Sequence, residues 1–198
     1  MIHRASESMA FFFGEKNRLS QEQVEVCAYG LEVLLSDCIV LSITLFIALV
    51  VNALIYTVLL LSTFILLRSQ TGGFHASSHL RCNSIYFIAY ILAIITIKYM
   101  PDSAIVYSVL VLGLVALLAV LRYSPLEHPN KPVSSKKKVK YRKTSIIFAV
   151  VFYALSVLLS MLPFTIERYV LSITMGMFYV GISIFAEVFK HRYKKTNA

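Results

Sequence analysis

Between two apolar stretches the chain reads Arg68-Ser-Gln-Thr-Gly72-Gly73-Phe-His75-Ala-Ser-Ser-His79-Leu-Arg81-Cys82. This run holds two of the five histidines, one of the three cysteines, two arginines and adjacent glycines. A thiol attacks a carbonyl carbon as its thiolate, so an imidazole that accepts the thiol proton turns a cysteine into a nucleophile. Cys82 is the candidate nucleophile, and His75 and His79 are the candidate bases. On a straight helix His75 returns to the face of Cys82 but about 10 Å along the axis, too far for a hydrogen bond. Pairing of His75 with Cys82 therefore requires a bent backbone, which Gly72 and Gly73 permit. His79, three residues before Cys82, touches it on an unbroken helix, so spacing alone favours His79.

Two other readings of these residues compete. Cys82 at the start of a helix also fits a small apolar filler with no chemistry. A metal ion could take His75 with His79, or His79 with Cys82. All three on one straight helix span two turns, too far for one ion, and no acidic cluster supplies further ligands. No metal site and no cofactor is expected.

The elements that must position this segment are set by composition. The chain has 198 residues, 58% of them hydrophobic and 15% charged, with a mean hydropathy of +0.75. Soluble domains carry about 25% charged residues. The apolar residues come in long blocks, which satisfy their backbone groups in lipid as helices. The expected fold is all-α: a polytopic transmembrane helical bundle of about six spans, preceded by an amphipathic N-terminal helical region, with residues 1–198 forming one integral membrane domain.

Residues 1–36 form the amphipathic region. There Ser20 and Gln23 fit a capping box, and Val24, Leu31 and Leu35 recur at helical spacing. Phe11, Phe12 and Phe13 are followed by charged residues and lack a small-residue cleavage pattern, so a removable signal peptide is not expected. Residues 38–67 form an apolar block, either one tilted helix or two spans turning near Val51 and Asn52. The segment of interest occupies 68–83, two spans occupy 84–123, and a basic loop occupies 124–145. Two more spans fill 146–189, and a basic tail closes the chain at 190–198. Glu187 and Lys98 sit near span ends, where charged side chains are expected to snorkel outward. Gly176 and Gly181 lack the Lys-Ser/Thr of a phosphate-binding loop.

The net charge of +9 is concentrated. Eight of the 19 Lys and Arg residues lie between Arg122 and Lys143, and four lie between Lys190 and Lys195. Basic clusters that flank apolar spans mark the cytoplasmic side and attract anionic lipid, so no nucleic-acid partner is expected. With the basic loop inside, Pro101-Asp102 falls outside and residues 68–82 fall on the cytoplasmic face. Three cysteines with no paired spacing do not suggest a disulfide framework.

The acidic amphipathic start, the long apolar block, Arg68, the Gly72-Gly73-Phe-His75 run, Cys82 and the paired spans around a lysine-rich loop together resemble the AgrB family. These accessory gene regulator B proteins are membrane peptidases that process quorum-sensing precursors in Gram-positive bacteria. The likeness covers nearly the whole chain in layout, and its specific part is the Arg…Gly-Gly-x-His-x6-Cys run. It implies a catalytic Cys82, with His75 rather than His79 as its base, and supporting roles for Arg68, Gly72 and Gly73. It also implies a short AgrD-like precursor peptide as partner, with an amphipathic leader and an acidic tail. The implied reaction is cysteine endopeptidase cleavage through a thioester, followed by ring closure, in a multi-pass protein of the cell membrane. A small transporter or peptide-export component, in which Cys82 merely packs, is the alternative. The third catalytic residue, the ring chemistry and any homo-oligomer stay open.

Overall fold

The computed structural model describes residues 2–17, 19–73, 79–126, 134–162 and 166–196. His75 lies outside these residues. Seven helices account for nearly all of the described chain: α1 (Ile2–Asn17), α2 (Gln21–Val50), α3 (Leu54–Thr71), α4 (His79–Tyr99), α5 (Asp102–Tyr123), α6 (Ser135–Ser160) and α7 (Glu167–Thr196). Six of them, α2 to α7, are long and apolar enough to cross a membrane. The protein is thus an all-helical, multi-pass membrane protein. Its contacts divide it into two compact units, Met1–Asn52 and Ala53–Ala198.

The first unit is a helical hairpin. Ser20 opens α2 through the capping box expected from sequence: its Oγ accepts from the Gln23 amide at 3.3 Å, and its own amide donates to Gln23 Oε1 at 3.0 Å. Near the other end of α1, His3 Nδ1 meets Glu32 Oε2 at 2.9 Å, so α1 runs back along α2. Phe11, Phe12 and Phe13 stand exposed on α1. The composition change at residues 36–38 is not a break, because α2 continues through it to Val50. Nothing between Ser20 and Val50 stops a helix: there is no proline, and Gly30 alone weakens propensity by about 1 kcal/mol. The break comes at Val51-Asn52, where Asn52 takes a positive φ of 51°. Asparagine tolerates that conformation better than most residues.

The second unit is built around α7. Ser172 and Thr174 in α7 and Thr63 in α3 donate to backbone carbonyls one turn earlier, at 2.8, 3.1 and 2.9 Å. Those polar groups are therefore satisfied without water. Small residues let the helices approach. A Cβ on Gly176 would stand 2.6 Å from the Leu60 carbonyl oxygen, and one on Gly181 would stand 3.1 Å from Ala116 Cα. These glycines are packing points of α7 against α3 and α5, as small residues in membrane bundles commonly are. Leu67, Ala116, Val120, Met177, Val180 and Ile184 form the core between the three helices. Ile88, Leu92, Val111, Leu118, Val151 and Leu158 are exposed, as suits faces turned to lipid.

The two ends of this unit are fixed differently. At one end Arg168, in the first turn of α7, donates through Nη1 to the Ile97 and Lys98 carbonyls at 2.7 and 2.8 Å. Its Nη2 meets Asp102 Oδ1 at 2.7 Å. One guanidinium thus satisfies the free carbonyls that close α4 and grips the start of α5. At the other end the C-terminal parts of α3, α5 and α7 gather with the first turns of α4 and α6. Helix α6 begins at Ser135, so the exposed Lys137, Lys138, Lys140, Arg142 and Lys143 lie on helix rather than in loop.

Candidate functional site

Helix α3 ends because Gly72 and Gly73 leave the helical region, with φ of 69° and 150°. Both values are rare for residues that carry a Cβ. Space enforces the same choice. A Cβ on Gly72 would lie 2.6 Å from the Leu126 carbonyl oxygen. The Leu126 amide donates to the Thr71 carbonyl at 2.8 Å, tying the segment after α5 to the end of α3. A Cβ on Gly73 would lie 2.6 Å from both Arg68 Nη1 and Ser183 Oγ. Gly73 is therefore a lid over the Arg68 guanidinium, and Ser183 of α7 is its neighbour.

Arg68 is partly buried in the last turn of α3. Its guanidinium carbon stands 5.6 Å from the ring centroid of Phe64, one turn earlier, which is cation–π range. It is also within electrostatic range of two groups on other helices, the Cys82 thiol of α4 and the Glu187 carboxylate of α7. Cys82 is a free, partly buried cysteine in the first turn of α4. Arg68, Gly72, Gly73 and Cys82, singled out from sequence, are thus brought to one end of the bundle. His79 opens α4, one turn before Cys82 on the same helix.

Arg81 is exposed. Glu187 is 3% exposed, so the outward snorkelling expected of it does not occur. Its Oε2 lies 3.8 Å from Lys190 Nζ. The helix axis explains the difference, because Glu187 lies one turn beyond Ser183 on the face of α7 that meets α3. The sequence suggested snorkelling for Glu187 and no role for Ser183. The available signal was that Glu187 is the one charged residue between positions 169 and 189 of α7, and ionisable groups inside membrane helices are commonly functional. Among the described residues no group of three His, Cys, Asp or Glu side chains is arranged to hold a metal ion.

The flanking segment is polar and connected to this end. Ser124 Oγ and Ser145 Oγ are 2.8 Å apart and buried. Arg142 Nη1 donates to the Ser124 carbonyl at 3.3 Å. The basic first turns of α6 are therefore anchored to the segment whose Leu126 closes over Gly72.

Comparison with known proteins gives a consistent result. A family model described as accessory gene regulator B matches residues 6–185. The accessory gene regulator protein B of Staphylococcus haemolyticus is 29% identical over 160 residues, covering 79% of this chain and 82% of that protein. That of Staphylococcus intermedius is 25% identical over 175 residues, covering 86% and 88%. That of Staphylococcus lugdunensis is 23% identical over 191 residues, covering 92% and 93%. No solved structure matches the chain. These matches support a role in the accessory gene regulator system.

Proposed function

The chain belongs to the accessory gene regulator B family, and from that premise we propose that it is a membrane cysteine endopeptidase that matures a small autoinducing-peptide precursor. The observation that carries the reading is the close approach of Arg68 to Gly73 where α3 ends, with Cys82 in the first turn of the next helix at the same end of the bundle. In this reading that end faces the cytoplasm of a Gram-positive cell, because the exposed lysines and arginines of α6 lie there.

The reaction runs in two balanced steps. Cys82 Sγ attacks the carbonyl carbon of the scissile peptide bond, and His75 takes the thiol proton and delivers it to the leaving amine. The C–N bond breaks, the C-terminal tail departs, and the remaining peptide is held as a thioester on Cys82. A cysteine of the precursor then attacks that thioester. Its C–S bond forms as the bond to Cys82 breaks, and its proton returns to the enzyme thiol through His75. One thioester replaces another, so the exchange is close to balanced and needs no nucleotide. Water is the competing nucleophile, and ring closure requires that it be kept from the thioester. His79 is the less favoured base. The precursor is an AgrD-like peptide whose leader lies on the lipid surface and whose acidic tail is attracted by the exposed cations of α6 and by Arg81.

The test is mass spectrometry of cells that co-express the chain with its candidate precursor. Intact protein releases the C-terminal fragment. Cys82→Ala and His75→Ala abolish release, and His79→Ala retains it. Undiminished release by Cys82→Ala refutes the peptidase reading and favours a transporter or export role.

A further inference from the structure

We infer that Tyr86 is a specificity-determining residue for this reaction. With Phe64 of α3 it walls an apolar slot beside Cys82, and the slot takes a bulky apolar side chain from the precursor residue whose carbonyl forms the thioester. The inference rests on the peptidase reading and adds to it which part of the substrate the site selects.

Helix α4 turns one face to the bundle. Tyr90, Ala93, Ile94 and Ile97 are buried, whereas Ile85, Ile88, Leu92 and Ile95 are exposed. Four-residue steps from Tyr90 toward the start of the helix reach Tyr86 and then Cys82 on the inward face. Both are only half-buried. The inward face of α4 is therefore covered along its second half and partly open over its first turns.

Contacts with α3 set the register of this face. Thr57 Oγ1 lies 3.0 Å from Tyr90 Oη, and the Tyr90 and Tyr86 rings stack 10° from parallel with centroids 6.4 Å apart. The Tyr86 ring thus packs on a neighbour that α3 holds. Along α3, Thr57, Leu61, Phe64 and Arg68 recur at the spacing of a single helix face. Consecutive spans run in opposite directions and rise about 1.5 Å per residue. With Thr57 opposite Tyr90, Tyr86 comes level with Leu61, and Cys82 comes level with Phe64. Leu61 is buried and Phe64 half-buried, so the space between the two rows is apolar and opens at the proposed nucleophile.

Tyr86 lies one turn, about 6 Å along the axis, from Cys82. A Leu or Phe side chain bridges that distance, and an Ala side chain does not. In the proposed reaction the acidic tail leaves toward the exposed cations. The side chain directed into the slot therefore belongs to the acyl residue held on Cys82.

The test is a competition in membranes that contain the full-length protein. Two forms of the candidate precursor, with Leu or Ala before the cleaved bond and an isotope label in one tail, are cleaved together and their tails compared by mass spectrometry. The ratio of the two tails does not depend on how much enzyme is folded. The parent is expected to favour the Leu form by about tenfold or more, because one missing methylene in an apolar pocket is alone worth roughly 10–200-fold. Tyr86→Ala is expected to reduce the preference to about threefold or less. Tyr86→Phe keeps it, and so does Ile88→Ala on the outward face, where Ile88 is 61% exposed.

If Tyr86→Ala does not accumulate, Tyr86→Trp decides, because a larger ring narrows the slot and must also lower the preference for Leu. A parent that cleaves both forms equally, a Tyr86 variant that keeps the parent ratio, or an equal loss in Ile88→Ala overturns the inference. Release of the tail by Cys82→Ala removes the peptidase reading and the slot with it. An inactive Cys82→Ala beside a Tyr86→Ala of parent ratio removes the slot alone.

Discussion

Replacing Gly73 with alanine adds a single methyl group at the point where the site has no room. The new Cβ would lie 2.6 Å from Arg68 Nη1 and 2.6 Å from Ser183 Oγ, about 1 Å inside normal contact. The φ of 150° is also one that alanine rarely adopts. A non-glycine residue held in such a region costs of order 1–3 kcal/mol. Relief comes most cheaply by displacing the Arg68 guanidinium, the free end of a flexible side chain, rather than the α7 backbone. The global fold then persists while the Arg68 charge moves. If the whole penalty is borne by the competent arrangement, 1–3 kcal/mol corresponds to a roughly five- to 150-fold slower reaction.

The assay is single-time-course cleavage of the precursor in membranes, normalised to protein amount, with the thermal midpoint of detergent-solubilised protein measured alongside. Gly73→Ala is expected to lose activity by that factor with a midpoint shifted by only a few degrees. Cleavage at the parent rate would refute the reasoning, since it would mean that neither the φ value nor the Arg68 contact matters.

Two further outcomes follow from other parts of the structure. Arg168→Ala strips the Ile97 and Lys98 carbonyls and Asp102 of their shared donor. Hydrogen bonds to charged groups are worth about 1.5–3 kcal/mol, so the midpoint falls by several degrees in a thermal melt while Cys82 alkylation keeps its parent rate. In the N-terminal hairpin, His3 is raised above the ordinary histidine value of 6.5, chiefly by its hydrogen bond to Glu32 and then by the Glu7 and Glu32 charges. A raised value means that the clasp is fully present below pH 6.5 and is lost as pH rises through the folded-state value. Hydrogen exchange of α1, corrected for its intrinsic pH dependence, therefore speeds up above pH 6.5, and His3→Ala removes that step. Exchange that is flat with pH in the parent would contradict the assignment.

What could be read from sequence, and what could not, divides along the range of the interaction. The capping box at Ser20 is local, and it forms as the spacing of Ser20 and Gln23 requires. The six spans follow from apolar runs, which act residue by residue on transfer into lipid. A composition change does not stop a helix, however, so residues 20–36 merge with the span after them in α2, and the lysines after Ser134 join α6. The placement of Arg68, Gly73 and Cys82 at one end of the bundle was legible because all three lie within one short stretch, in which a glycine pair ends a helix. The approach of Ser183 and Glu187 was not, because helical periodicity gives a face and not the identity of the helix that packs on it. Glu187 near a span end suits either snorkelling or burial, and only the azimuth of α7 against α3 decides between them.

The positive charges at this end of the bundle divide into two kinds on physical grounds. Arg68 is enclosed by the Phe64 ring and the Gly73 turn and lies within electrostatic range of Glu187. Its field is short-ranged in effect and fixed in direction, which suits holding charge at a reacting centre. Lys137, Lys138, Lys140 and Lys143 are exposed on the first turns of α6. Their fields reach outward about a Debye length, roughly 8–10 Å at ordinary salt, and are weakened by added salt. In the proposed reaction, the exposed set therefore attracts an acidic tail and the partly buried Arg68 does not. The two sets are mechanically joined: Arg142 binds the Ser124 carbonyl, and two residues later the Leu126 amide binds Thr71, next to Gly72. The segment after α5 thus links the basic start of α6 to the glycine turn that ends α3.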